Sequence, residues 1–202
     1  MSKKRNNTEV QRTETPHLVV QDIRLVAPDR NRKDAGKLKE AIERAESVFI
    51  PNRYKLLDLY HDVVTIDGHL SGLLEKRTKA VTNKRMVFMD GTGQKVDALD
   101  DLIGSSRFER LTEVIMERKY YGTSAVEFIM GKAFDYKEID RRHLRPESRE
   151  IALSQFDARG VSVDDLPMVW LMGEPYELGK LLQCSLYALY KRSGFGDFAQ
   201  YV

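Results

Sequence analysis

Glu127 stands inside an apolar run, SAVEFIM (124–130), and the run after it carries Asp135, Glu138 and Asp140, with Lys132 and Lys137 close by. Acids on adjacent strands beside a lysine are the raw material of a metal-dependent nuclease centre, in which carboxylate oxygens hold a divalent cation. The diagnostic spacing, an acid and then acid-x-Lys, is not clean here. Strand alternation sets Glu127 opposite Val126 and Phe128, which predicts a solvated face for it. His17, His61, His69 and His143 form no pair at metal-ligand spacing; His61 and His69 fall on successive helical segments and read as surface residues. Cys184 lies in an apolar helical run beside Ser185 with no base near it in sequence, so it reads as a small buried hydrophobe rather than a nucleophile. Gly91 and Gly93 lack the third glycine and the Lys-Ser/Thr of a phosphate loop and fit a hairpin turn. These residues give no catalytic constellation, no metal site and no cofactor, and the chain reads as a non-enzyme.

The cations point the same way. The 202 residues carry a net charge of only +2, with acids and bases interspersed, whereas a protein that grips DNA phosphates usually presents a concentrated basic face. Three short clusters stand out: Lys3, Lys4 and Arg5; Arg30, Arg32 and Lys33; and Arg141, Arg142 and Arg145. The last is the candidate contact with DNA or a partner, and it motivates a rival reading as a nucleic-acid-binding or DNA-processing protein of a mobile element. Tyr120, Tyr121, Tyr187 and Tyr190 would stack on bases, but their helical spacing suits a core or a subunit interface better. The single Cys184 excludes an internal disulfide framework. No run reaches the roughly 18 apolar residues of a membrane helix, and MSKKRNN is not followed by the apolar segment of a secretory signal.

The elements that must position these residues follow from periodicity. Residues 1–16 read as a flexible arm, and HLVVQDIRLVA (17–27) holds an edge strand closed by Pro28. A helix is expected over 37–48, with Leu38, Ala41, Ile42, Ala45, Val48 and Phe49 on one face. A second is expected from Pro51, with Tyr54, Leu57, Tyr60, His61 and Val64 at helical spacing. A third is N-capped by Asp67, with Leu70, Leu73, Leu74, Arg77 and Val81 on its face. Arg85 to Met89 suits a strand, and Asp90-Gly91-Thr92-Gly93 a hairpin turn. Leu99 to Tyr121 reads as a short and a longer helix, ended by Gly122 as a cap glycine. Strands are expected at 124–130, 133–139, 150–156 and 169–172, then a helix over 176–192 and a last one from about Phe195. The fold class is therefore α+β: N-terminal helices plus a small mixed or antiparallel sheet with packed helices. The chain stops on Tyr201-Val202 without a cap or polar tail, which reads as a helix continuing in a longer protein.

Four stretches, in order, resemble the portal proteins of Mu-like tailed phages. They are DGHLSGLLEKRTKAV (67–81), YYGTSAVEFIM (120–130), the segment 136–149 with Ile139, Asp140, Arg142 and Pro146, and residues 173–202. In the second, Tyr121, Gly122, Ser124, Val126 and Glu127 match the family's helix-to-strand junction. In the fourth, Gly173-x-Pro-Tyr176 is followed by an aromatic-studded helix and by Asp-Phe-Ala-Gln-Tyr, with Phe198 where the family usually has Trp.

The resemblance implies a portal-like body over 31–175, wing-like in its place in the ring, after the 1–30 arm. It makes 176–202 the truncated start of the central helical region. It further implies a structural subunit of a homo-oligomeric ring, dodecameric in the family, that serves DNA packaging and head-tail connection at a capsid vertex. The implied partners are other copies of the chain, the terminase large subunit, capsid or scaffold and head-completion proteins, and double-stranded DNA passing non-specifically. The implied location is the virion, and the host cytoplasm during assembly. Tyr121, Gly122, Glu127, Gly173, Tyr176 and Phe198 are the expected interface or structural residues, Glu127 pairing outward with a neighbouring subunit.

Overall fold

A computed structural model describes Val20 and residues 35–131 and 133–198. The expected arm, the edge strand apart from Val20, Lys132 of the expected turn and the last residues of the chain lie outside them. Three helices come first: α1 (Ala35–Ala45), α2 (Tyr54–Ile66) and α3 (Gly68–Thr82). A 3-10 turn at Asp97–Leu99 and the one-turn helix α4 (Asp100–Ile103) lead into α5 (Ser106–Tyr121). Six strands follow: β1 (Ser124–Ile129), β2 (Asp135–Ile139), β3 (Leu144–Arg145), β4 (Glu150–Ile151), β5 (Val161–Ser162) and β6 (Val169–Met172). The last element is α6 (Leu181–Phe198).

The strands form two three-stranded sheets, β2-β1-β6 and β3-β4-β5, in which every pair is antiparallel. The fold is thus α+β, with helices packed on a small antiparallel sheet. Strand alternation sends Val126, Tyr136 and Met172 to one side of the first sheet, against Leu111 and Val114 of α5. Ala125 and Ile139 face the other side, where Leu144, Ile151, Val163 and Leu166 cover them. A third cluster joins α1 and α2 to the start of α6 through Leu38, Ala41, Ala45, Leu56, Leu57, Tyr60, Leu178 and Leu181. Fully burying each such large apolar side chain contributes about 1.5–3 kcal/mol.

Several local expectations fail for identifiable reasons. α1 stops at Ala45, so Val48 and Phe49 leave its buried face and stand 79% and 90% exposed. α2 starts at Tyr54 and not at Pro51, because the Asn52 side chain is used locally. Its Oδ1 accepts from the Tyr54 amide at 3.1 Å while its Nδ2 donates to the Gln155 carbonyl at 3.2 Å. The strand expected at 85–89 shrinks to one bridge, Met89 with Lys95. Asp90 explains the turn between them, as its Oδ1 accepts from the amides of Thr92 and Gln94 at 2.9 Å each. The strand expected at 150–156 ends at Ile151, because Ser154 to Asp157 closes a turn on the Asp157 carboxylate. α6 begins five residues later than periodicity suggested and runs unbroken through Gly194 and Gly196.

Asp67 caps α3 as expected, accepting from the amides of His69 and Leu70 at 3.0 and 3.1 Å. The Leu70 amide and the Lys191 ammonium hold its carboxyl below the usual carboxylate range. Asp67→Ala is expected to lower stability by about 1 kcal/mol at neutral pH. Because the folded-state pKa is depressed, that contribution is present above the unfolded carboxylate pKa and is lost as pH falls through the folded value. Urea melts of the two proteins should therefore differ at pH 7 and converge in acid.

Candidate functional site

Chain geometry converges where α5 gives way to β1. Gly122 sits at φ +83°, and its amide donates to the Arg118 carbonyl at 2.8 Å, closing the helix. L-residues avoid that left-handed region, and Gly does not. Room is scarcer still: a Cβ on Gly122 would lie 2.2 Å from the Glu177 carbonyl oxygen and 2.8 Å from the Gly179 nitrogen. Gly179, at φ +80°, has the reciprocal constraint, with a would-be Cβ 2.3 Å from the Tyr120 oxygen. Gly173, at φ +141°, closes the knot, 2.7 Å by the same measure from the Gly122 oxygen. Two stretches far apart in sequence, 120–123 and 173–180, therefore cross backbone on backbone. Of the residues singled out in the sequence, Tyr121, Gly122 and Gly173 meet here. Tyr176 also has a positive φ, +60°, and it marks the loop that carries the chain into α6.

Side chains lock the crossing. The Lys180 amide donates to the Lys119 carbonyl at 3.0 Å, and the Thr123 hydroxyl to the Met172 carbonyl at 3.0 Å. Tyr60, fully buried on α2, donates its hydroxyl to the Leu178 carbonyl at 2.8 Å. Burial holds that phenol above the ordinary tyrosine range, an effect the nearby Arg53 guanidinium partly opposes. Arg53, 2% exposed, donates to the Glu177 carbonyl at 2.7 Å and, through Nε, to Glu147 at 2.9 Å. Glu177 adds an ion pair to Arg118 at 2.8 Å. The arrangement fixes the direction in which the chain enters α6.

The arginine cluster is drawn inward. Arg145 is 1% exposed and spends its guanidinium on main-chain carbonyls, those of Arg142, Leu144, Gln155 and Asp157. Burial lowers its pKa to about 10, which leaves it charged at neutral pH. Arg142 bonds Asp58 at 2.6 Å and Asp140 at 3.1 Å. Arg141 pairs with Glu117, donates to the Thr123 carbonyl at 3.2 Å and lies 4.5 Å over the Tyr121 ring. In this conformation Arg141 braces the junction, Arg142 ties its turn to α2, and Arg145 holds the 155–157 loop.

Glu127 corrects an expectation. It is 5% exposed, not solvated, because β1 is the central strand and both of its faces are covered. Its neighbours in register are Lys137 and Val169. A position this enclosed does not present the outward charge expected of it. Glu138 belongs to the opposite face of the sheet, where it pairs with Arg110 at 2.8 Å. Asp135 is held by Arg107 of α5 through two nitrogens. Glu127, Asp135 and Glu138 are thus not brought together. Among the described residues no group of three or more His, Cys, Asp or Glu is placed to hold a metal ion, and no helix is long and apolar enough to cross a membrane.

Phe198 lies apart from the junction, as the last residue of α6. Sequence reasoning missed Arg53 and Glu147. An arginine between Asn52 and an apolar helix start was the only local sign of Arg53, since nothing in its neighbourhood names a partner 94 residues away. Residues 57–202 match the family model described as the portal protein of Mu bacteriophage. No curated protein and no solved structure matches the chain.

Proposed function

The chain belongs to the portal protein family of Mu bacteriophage, and from that premise we propose that it is a structural subunit of a ring at the capsid vertex, serving DNA packaging and head-tail connection. Its work is geometric. Copies arranged head to tail enclose a passage for double-stranded DNA, and the terminase large subunit supplies the energy. Capsid or scaffold proteins and head-completion proteins dock on the same ring, in the host cytoplasm during assembly and in the virion afterwards. No catalytic role is assigned to the chain.

The observation that supports the ring is the placement of exposed apolar groups. Val48, Phe49 and Ile50 project from the loop after α1 at 79%, 90% and 56% exposure. Tyr187 and Tyr190 project from α6 at 75% and 63%. A head-to-tail contact joins two different patches, one on each neighbour, and closes into a ring when the rotation permits. Patches of this kind are unusual on a surface that stays wet.

The test is assembly of the full gene product, read by mass photometry and negative-stain microscopy. Closed rings are expected from the wild type. Phe49→Glu combined with Val48→Glu should shift the population to monomers while leaving the far-UV circular dichroism unchanged. A wild type that stays monomeric at every concentration would refute the ring.

A further inference from the structure

The stretch KRTKAVTNKR, residues 76–85, holds five cations and no acid, although the whole chain carries only +2. It forms the second half of α3 and the chain just beyond it. α3 is a surface helix: none of its side chains is fully buried, and it rests on α2 and α5 along one side. Lys76, Arg77, Lys84 and Arg85 are all exposed. Only Lys79 is engaged, by Glu109 at 3.5 Å and Glu113 at 3.3 Å. Among the described residues no carboxylate lies within ion-pair distance of the other four. That sets them apart from the arginines of the body, where Arg53, Arg107, Arg110, Arg118, Arg141 and Arg142 each hold a carboxylate.

We propose that residues 76–85 form a surface for the phosphate backbone of double-stranded DNA. Four solvated cations without internal partners retain their full attraction for a polyanion, whereas a cation already paired must first give up its acid. Thr78 and Asn83 lie among them, and short hydroxyl and amide side chains are common donors to phosphate oxygens. The stretch lacks the aromatic anchors on which protein partners usually close. The surface reads no sequence, since base discrimination needs a helix or ribbon laid in a groove. The choice of duplex DNA as the polyanion rests on the portal reading; the presence of the surface does not.

The test is fluorescence anisotropy of the full gene product against a short labelled DNA duplex over a range of salt. Four phosphate contacts per subunit should give a log–log slope of about −3.6. Lys76→Gln, Arg77→Gln, Lys84→Gln and Arg85→Gln together should flatten that slope and weaken binding on the order of a hundredfold at low salt. Lys39→Gln with Arg159→Gln, exposed cations elsewhere, should leave both unchanged. Wild-type binding by the quadruple variant would overturn the proposal. So would competition by polyglutamate as effective as that by unlabelled DNA, which would point to an acidic protein instead. Mass photometry on the same samples separates the two readings. A quadruple variant that still forms rings but loses DNA supports this surface, and a wild type that binds DNA as a monomer upholds it while the ring reading falls.

Discussion

Gly122→Ala is expected to destabilise the fold by about 3–5 kcal/mol, combining a left-handed backbone penalty with overpacking against main chain that cannot swing aside. The new methyl carbon would stand 2.2 Å from the Glu177 oxygen and 2.8 Å from the Leu178 carbonyl carbon. Neither is the end of a flexible side chain, so relief requires the 173–180 segment to move. That segment carries the first turn of the approach to α6, and the variant should lose assembly together with stability. Gly72→Ala is the matched control, since it lies within α3 with nothing inside 4 Å of its would-be Cβ. It should be neutral or stabilising by up to about 1 kcal/mol. Urea denaturation of the two variants reads the contrast directly, and equal midpoints would show that the crossing is looser than its geometry implies.

The second large effect concerns Arg53 and Glu147, 2% and 4% exposed by side chain. Arg53→Met should cost about 3–5 kcal/mol, because it leaves the Glu147 carboxylate buried without its counter-charge. One Glu147 oxygen, Oε2, already lacks a hydrogen-bond partner among the described residues, so the site has little spare capacity to solvate the charge. Arg53→Met with Glu147→Leu should recover most of the loss, since a buried pair replaced whole by apolar groups is often near neutral. Some deficit should persist, as Arg53 also serves the Glu177 carbonyl. A double-mutant cycle by chemical denaturation measures the coupling. Strictly additive single effects would mean that the two side chains do not share one environment.

Much of the helical half was legible because it is local. Asp67 as a cap, Gly122 as a helix stop and the Asp90–Gly93 turn each follow from one or two residues whose chemistry permits little else. Long-range partners were not legible. Nothing near Glu127 in sequence tells that β6 arrives from 42 residues away to make β1 a central strand, so alternation alone placed an enclosed carboxylate in water. Arg141, Arg142 and Arg145 stand as a cluster in sequence, where nothing shows that they also hold Glu117, Asp58 and the carbonyls of the 155–157 loop. Residues 76–85 are the converse case, in which threonines and small apolar residues interrupt the run of cations. The ordered resemblance pointed to the family whose model matches residues 57–202.

The crossing of 120–123 with 173–180 has a mechanical meaning. A tug on α6 is not absorbed by a pliant linker, because the segment ahead of it is seated against the end of α5 and tethered to α2 through Tyr60 and Arg53. Load reaching that helix passes straight into α5 and α2. A swivel of α6 relative to the body would have to unseat three glycines at once, so the helix and the body turn as one lever.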